Sequence, residues 1–503
     1  MQQVFRGADA VGLASLARAG NRACVRHAST TGHSRIIITG TNVKATISGV
    51  FLQMESNQVN SSATSSPESS RRTFLRTAGA AALTAASYSR VLGANDKVNV
   101  AVVGLGGRGQ NHMDAYAEIA GCRIAALCDV NQEALERGQA KVAKKTGEAA
   151  PKGYGDMRDV FADKNVDAVS MPLPNHWHAL ATIWACQAGK DVYIEKPACY
   201  NVFEGKQMIA AARKYNRMVQ IGSQSRSVPH KVRAMQLLAE GVIGPVHTSK
   251  GLCFKRRKSI GHMADLEQPP AGIDWDKFLG PAPMRKYNEL RFKYNWHWFW
   301  DTGNGDIGNQ GVHEMDIARW GLGVNMPASV TSTGGKYAYT DDQETPNTQF
   351  ASFDYGGKQI QFEVRGLFTG GEGDLVRRGG NYVGNLFYGT DGWMAIDGAG
   401  FQVYKGEKSE KAMDEKSGPG RDTVPHMENF IAACKSRNYK DLHADVEIGV
   451  ASADLCHLAN ISYRVGQRTL KFDQTKMNFG SDGEANKLLT RDYRKPYVVP
   501  EKV

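Results

Sequence analysis

Lys97-Val-Asn-Val-Ala-Val-Val-Gly104-Leu-Gly106-Gly-Arg108-Gly109 is the stretch that decides the fold. A β-branched run leads straight into Gly104-x-Gly106-x-x-Gly109, and a stretch of helical character follows. The spacing alone says little in a chain with 54 glycines. Between a strand and a helix it has a mechanism. The first glycine permits the tight turn, the second lets the main chain approach a diphosphate, and the third lets helix and strand pack closely. The phosphates would lie on the helix N-terminus, where unpaired N–H groups point, and Arg108 is placed to reach one. A second strand, Cys122-Arg-Ile-Ala-Ala-Leu-Cys-Asp129, ends in an acid 20 residues after Gly109. A carboxylate there accepts ribose hydroxyls and repels a 2′-phosphate, so the expected cofactor is NAD rather than NADP.

Outward from this turn, strands and helices alternate as far as Gly222. Strands are expected near 98–103, 123–128, 166–171, 192–195 and 218–221, and helices over about 109–119, 131–146, 175–188 and 202–215. Asn201 with Glu204 has the form of a capping box, and Gly189 that of a helix stop. Repeated βα units imply an α/β class with a parallel, doubly wound Rossmann sheet. After Gln224 the texture changes. A helix near 230–240 precedes strands near 246–255, 328–338, 348–355, 359–367 and 385–397, set among Gly-rich turns, and helices near 424–436 and 445–465 follow. This half is expected to be α+β with one large, mostly antiparallel sheet. The expected division is a leader over 1–94, a nucleotide-binding domain over 95–223, a second domain over 224–475 and a tail over 476–503.

The fourth strand of the first half, Asp191-Val-Tyr-Ile194, runs into Glu195-Lys196-Pro197. Proline cannot donate to a sheet ladder, so the strand stops there. Lysine is rarely buried unless paired, and the carboxyl end of a parallel strand is where open α/β sheets bind ligands. Glu195 and Lys196 therefore belong to a site.

The 503 residues carry a formal charge of +11. Residues 1–94 hold ten Lys/Arg and three acids, a charge of +7 that leaves +4 for the remainder. The basic excess lies mostly in the leader, so nucleic-acid binding is not expected. Ser70-Arg71-Arg72-Thr73-Phe74-Leu75-Arg76, a weakly apolar stretch to Ser89 and Leu92-Gly93-Ala94 resemble a twin-arginine export signal. Export through that machinery to the periplasm or exterior is expected, with cleavage after Ala94 and a true start at Met54. The apolar stretch is too short for stable membrane insertion. Seven of the eight cysteines follow the leader, scattered and odd in number. They suggest buried thiols rather than a disulfide framework, and no HExxH or CxxC spacing points to a metal.

Four further stretches now matter: Pro174-Asn175-His176-Trp177-His178, Asp274-Trp-Asp-Lys-Phe-Leu-Gly-Pro-Ala-Pro283, Asn295-Trp-His-Trp-Phe-Trp300 and Gly305…His313-x-x-Asp316-x-x-x-Trp320. With the glycine turn, Asp129 and Glu195-Lys196-Pro197, they resemble the glucose–fructose oxidoreductase/inositol dehydrogenase/rhizopine catabolism (Gfo/Idh/MocA) family over about residues 96–472. The second and third stretches resemble a secreted subgroup. The resemblance implies NAD(P)-linked chemistry on a sugar or polyol, and a homodimer or homotetramer built on the open sheet. It also implies cofactor contacts from Pro174, Asn175, one of His176 and His178, Glu195 and Lys196. Gln224 and Arg226 are candidate polar rim residues, Gln224 towards the cofactor.

Oxidising a secondary alcohol requires its C–H to face the nicotinamide, an acceptor for the hydroxyl proton and a positive neighbour for the developing oxyanion. His313 is the expected acid/base, since its ordinary pKa lies near operating pH, and Lys196 is expected to polarise the oxygen. Asp316, three residues after His313, is expected to share its helix face and partner it. In related dehydrogenases an Asp stands four residues before this histidine; here Asn309 does, and an amide takes no proton at neutral pH. Trp298 and Trp300 are expected to stack on the sugar, with at least one tryptophan of that aromatic run lining the pocket. Three functions stay open: an exported NAD-dependent dehydrogenase, an enzyme that retains and recycles its NAD (a sugar–sugar oxidoreductase or glycosidase), and a sugar-binding protein without turnover.

Overall fold

The computed structural model describes residues 97–370, 372, 381–418 and 423–503. The twin-arginine signal, Met54 and Ala94 lie outside the described residues. The first half runs β1 (Val98–Val103), α1 (Gly107–Glu118), β2 (Cys122–Cys128), α2 (Gln132–Thr146), β3 (Lys152–Tyr154), α3 (Met157–Ala162), β4 (Ala168–Met171), α4 (His178–Gln187), β5 (Asp191–Ile194), α5 (Val202–Lys214) and β6 (Val219–Ile221). The six strands are all parallel, in the order β3-β2-β1-β4-β5-β6. Val100 to Val103 are buried on both faces, which is why β1 reads as an unbroken apolar run. The order reverses between β1 and β4, and the carboxyl ends there open a crevice. β3 and α3 were not foreseen. Three and six residues long, they are too short to show periodicity.

Helix ends follow local chemistry. Asn131 Oδ1 accepts from the Glu133 and Ala134 N–H groups at the start of α2, and Gly147 at φ +70° ends it. At α5, Asn201 Oδ1 accepts the Glu204 N–H at 2.9 Å, while the Glu204 carboxylate reaches the Tyr200 N–H. The box is thus displaced by one residue from the usual pattern.

The second half continues α6 (Pro229–Ala239), β7 (Val246–Phe254), α7 (Trp275–Leu279), α8 (Glu289–Phe292), α9 (Gly305–Asn309), α10 (Gly311–Leu322), β8 (Ser329–Gly335), β9 (Thr348–Asp354), β10 (Gln359–Arg365), β11 (Tyr382–Gly389), β12 (Gly392–Asp397), β13 (Gly400–Lys405), β14 (Glu410–Lys416), α11 (Thr423–Ser436), α12 (Val446–Arg464), β15 (Leu470–Lys471) and α13 (Gly483–Lys487). Nine strands form one sheet, β14-β13-β12-β11-β7-β10-β9-β8-β15. All pairs are antiparallel except β7–β10. Ile360, Phe362 and Val364 are buried while Gln359, Gln361, Glu363 and Arg365 are half-exposed, the alternation of a sheet packed on one side. The single strand expected over 385–397 is instead the β11–β12 hairpin, turning at Thr390-Asp391. The turn signal Asp391-Gly392 sits there in the sequence. β14 escaped because Glu410-Lys-Ala-Met-Asp-Glu-Lys416 is almost wholly charged, as edge strands often are.

Two apolar clusters flank the parallel sheet. A third fills the space between the large sheet and α6, α10 and α12. The last residues return to the first half: the Phe203 N–H donates to the Leu489 carbonyl, and Tyr497 and Val499 join the cluster holding Trp177. Among the described residues no helix is long and apolar enough to cross a membrane.

Candidate active site

A cleft of about 1180 Å³ runs from the Gly104 turn along the carboxyl ends of the parallel strands to α10 and β11–β12. At its first end Gly104, at φ +94°, donates its N–H to the Cys128 carbonyl at 2.8 Å. A Cβ on Gly109 would lie 2.1 Å from the Gly104 carbonyl oxygen, whereas one on Gly106 would meet nothing within 4 Å. Packing of the fold therefore requires the third glycine. The second leaves room on the cleft side, at the N-terminus of α1, for a diphosphate. Asp129 Oδ2 accepts the Leu105 N–H at 2.6 Å and Oδ1 accepts the Asn131 N–H at 2.8 Å. Each oxygen keeps a lone pair for a ribose hydroxyl. These features fit NAD.

Midway along the cleft, Glu195 Oε1 accepts from Arg108 Nε at 2.9 Å and Gln224 Nε2 at 2.9 Å, and meets His112 Nε2 at 3.0 Å. Burial opposes its ionisation, but the Arg108 charge and the His112 hydrogen bond outweigh burial and hold the carboxyl well below its usual range. Arg108, expected on a phosphate, is thus also the tie between the glycine turn and Glu195. Lys196 Nζ donates to the Asn309 carbonyl at 3.0 Å and to Asn309 Oδ1 at 3.3 Å. Burial lowers its pKa to about 8, with Glu195 pulling the other way. Asn309 Nδ2 donates to the Tyr294 hydroxyl at 2.9 Å, which also accepts from Arg257. Arg257 in turn forks onto Asp306 at 2.9 and 2.6 Å. Both ends of the Asn309 amide are therefore fixed, and its oxygen is the end that faces Lys196.

α10 carries the far wall. Gln310, His313, Glu314 and Ile317 all line the cleft. Burial and the nearby Lys196 charge push His313 down to about 3, so its imidazole is neutral at physiological pH. Its ring makes no hydrogen bond among the described residues. Burial pushes the Glu314 carboxyl up to about 8. Gln310 bridges the two chemistries, donating to Glu314 at 3.4 Å and accepting from Lys255 at 3.0 Å.

The structure brings Gly104, Gly106, Arg108, Asp129, Pro174, Glu195, Lys196, Gln224, Asn309 and His313 to one cleft. It takes six expected residues elsewhere. Asp316 is 1% exposed and paired with Arg226 at 2.8 and 2.9 Å and with the Ser452 hydroxyl at 2.6 Å. It clamps the segment after β6 to α12 and does not face His313's side of the cleft, and Arg226 is buried with it rather than at a rim. Asn175 is buried and donates to Asn304 at 2.8 Å. His178 is buried with its ring nitrogens against the Pro197 and Leu173 carbonyls at 2.6 and 2.8 Å. It fastens the backbone beyond Lys196 and does not line the cleft. Trp298 is buried at 3% exposure, and Trp300 lies under Arg464. The short helical turn Tyr294–Trp298 presents Tyr294, Trp296 and His297 to the cleft instead, the last two stacked 3.5 Å apart. Glu314, Gln310, Lys255, Tyr294 and Arg257 had not been singled out. The recurrence of polar residues at 310, 313 and 314 was the available signal.

Comparison with known proteins gives the family and the fold. The oxidoreductase family with an NAD-binding Rossmann fold matches residues 98–223, and the family's C-terminal α/β domain matches residues 226–338 and 389–499. An inositol 2-dehydrogenase of Salmonella paratyphi B is 33% identical over 145 residues, 28% of this chain and 42% of its own length. A glycosyl hydrolase family 109 protein of Shewanella sp. is 26% identical over 152 residues, 30% of this chain and 33% of its own length. The matched segments thus span only 33% to 42% of these curated relatives. Among solved structures, the WlbA dehydrogenase of Bordetella pertussis, crystallised with NADH and UDP-GlcNAcA, covers 75% of this chain and 98% of its own at 19% identity and a TM-score of 0.57. The aldose–aldose oxidoreductase of Caulobacter crescentus covers 75% and 100% at 21% identity and 0.55. Those two likenesses bear on the fold. With both domain matches in chain order and a nucleotide turn that only the third glycine allows to pack, the chain belongs to the Gfo/Idh/MocA oxidoreductase family and carries its NAD-binding Rossmann domain.

Proposed function

We propose that the protein oxidises or reduces a CH–OH group of a sugar or polyol, with NAD in the cleft and Lys196 as the proton acceptor. The observation that carries this reading is the continuity of one cleft from Gly106 and Asp129 to Lys196, Asn309 and His313. Bound NAD supplies the hydride acceptor. The chain supplies the rest. A Lys196 pKa of about 8 leaves part of the amine neutral near pH 7, able to take the hydroxyl proton at Nζ. His313, neutral and otherwise unbonded, orients the same hydroxyl rather than titrating. The ring face of Trp296 gives the C–H side of a sugar an apolar surface.

A second reading keeps NAD bound through the cycle, so that one sugar is oxidised and another re-reduced, or a glycoside is cleaved through a transient ketone. The likeness to a glycosyl hydrolase family 109 protein and to an aldose–aldose oxidoreductase favours it. So does the Arg71-Arg72 leader, because export would separate the protein from the cellular NAD pool. We place the mature protein outside the cytoplasm as a homodimer or homotetramer, joined through the half-exposed face of the nine-stranded sheet. The deciding experiment is to purify the protein, quantify dinucleotide released on denaturation, and follow NADH over a panel of sugars with and without added NAD. Net NADH formation supports the dehydrogenase. Turnover without added NAD supports the retained cofactor. Absence of both refutes an oxidoreductase role, and near wild-type turnover by Lys196→Met refutes the assignment of the acceptor.

A further inference from the structure

Behind the Lys196 loop, away from the cleft, lies a second group of chemically capable side chains. Cys199 sits between β5 and α5, three residues after Lys196, and Asp454 and His457 lie three apart on α12. Cys199 is 0%, Asp454 2% and His457 4% exposed. Their Sγ, carboxylate and ring-nitrogen atoms all lie within 4.8 Å of one another, and Cys199 Sγ is 3.6 Å from His457 Nε2. Asp454 Oδ1 is buried with no hydrogen-bond partner. A buried polar oxygen without a partner is expensive, and native structures rarely leave one unexplained. Arg319, the cation acting on it, spends its guanidinium on Ser452, Asn325 and the Val324 and Ile448 carbonyls.

We infer that Cys199, Asp454 and His457 bind a divalent transition metal, zinc by preference, that ties the Lys196 loop to α12. One thiolate, one imidazole and one carboxylate form a donor set that suits zinc. Zinc bond lengths of about 2.0–2.3 Å put tetrahedral ligand atoms about 3.5 Å apart. The Cys199–His457 separation of 3.6 Å already matches, and all three ligand atoms lie within 4.8 Å of one another. The nearby Glu204 is spoken for by the Tyr200 N–H, Asn201 and Tyr493. Charge also balances. Binding releases one proton from the thiol and one from the acid, so M²⁺ with a thiolate and a carboxylate leaves a neutral buried complex, and affinity falls as pH falls. Sequence scanning missed the group because Cys199 and His457 are 258 residues apart.

The test uses the full chain, freed of metal with a chelator and titrated with Co²⁺ and Zn²⁺. The expected result is one Co²⁺ per chain, with a thiolate-to-cobalt charge-transfer band in the near ultraviolet that Zn²⁺ displaces. Asp454→Asn keeps the shape and removes the charge, and His457→Gln removes a ligand. Each should weaken Co²⁺ binding at least tenfold. Folded wild-type protein without the band at saturating Co²⁺, or an undiminished band in both variants, overturns the inference. Cobalt binding without a charge-transfer band also overturns it, since the metal would then lie away from Cys199.

Discussion

Replacing Asn309 by aspartate should move the pH dependence of alcohol oxidation upward. With a Lys196 pKa of about 8, roughly a tenth of the amine is neutral at pH 7 and roughly nine-tenths at pH 9, so kcat/KM should rise about tenfold over that interval. Asn309 Oδ1 lies 3.3 Å from Lys196 Nζ. A full negative charge at that distance is worth about 5 kcal/mol at an effective dielectric constant of about 20. Desolvation of the new carboxylate takes back part of this, and a contacting opposite charge typically shifts a pKa by about 1–3 units. The midpoint should therefore climb to between about 9 and 11, and kcat/KM near neutral pH should fall roughly tenfold for each unit. The assay is the initial rate of NAD reduction, bound or added, from pH 6 to 10.5 with wild type and N309D side by side. A midpoint that stays near pH 8 in N309D shows that Lys196 is not the group being titrated. A midpoint that drops into the carboxylate range shows that position 309 itself takes the proton. The first result refutes Lys196 as acceptor; the second shows that the variant has exchanged its acceptor, and the wild-type midpoint, absent in Lys196→Met, then decides.

G106A and G109A should separate binding from folding. G106A meets open space and should keep its melting temperature while weakening NAD binding at least tenfold by calorimetry, whereas the 2.1 Å clash in G109A should lower the melting temperature itself. D316N breaks a buried pair with Arg226 and should destabilise the fold by about 3–5 kcal/mol in urea titrations, with the pH midpoint of activity unmoved; a moved midpoint would return Asp316 to the chemistry. Glu314 has its pKa raised from 4.5 to about 8, so the folded state binds its proton more tightly than the unfolded state. Its contribution is complete below about pH 4.5 and is lost as pH rises through 8. E314Q should therefore match wild type in thermal melts at low pH and exceed it by a few kcal/mol at pH 9, and an equal difference at both ends would contradict the burial that raises this carboxyl.

What the sequence disclosed of the site depended on how local the determining contact was. The glycine turn was legible because Gly104 and Gly109 act on each other across five residues, and Glu195-Lys196 because it interrupts an apolar strand. Trp298 and Trp300 were misplaced because the aromatic run alone does not show which rings face the cleft: the 3₁₀ turn Tyr294–Trp298 turns Trp296 and His297 there and buries Trp298, and Trp300 follows the turn. α10 gives the sharper case. At about 100° per residue, take His313 as the zero of the helical wheel. Ile317 then stands at about +40°, Gln310 at about +60° and Glu314 at about +100°, while Asp316 stands at about −60°. His313 and the three on its positive side all line the cleft, and Asp316, off the other edge, turns to Arg226 and α12. Two residues three apart do share a face, so the spacing of His313 and Asp316 was read correctly as neighbours. It could not say on which side of the histidine the cleft lay. That side is set by β7, β10 and β11, against which α10 packs, and their order in the sheet places a parallel pair between antiparallel ones that no local pattern records. The carboxyl on the cleft side of the histidine is accordingly Glu314, adjacent in sequence and about 100° away, which burial keeps largely protonated near neutral pH, unlike the ionised partner that Asp316 was expected to be.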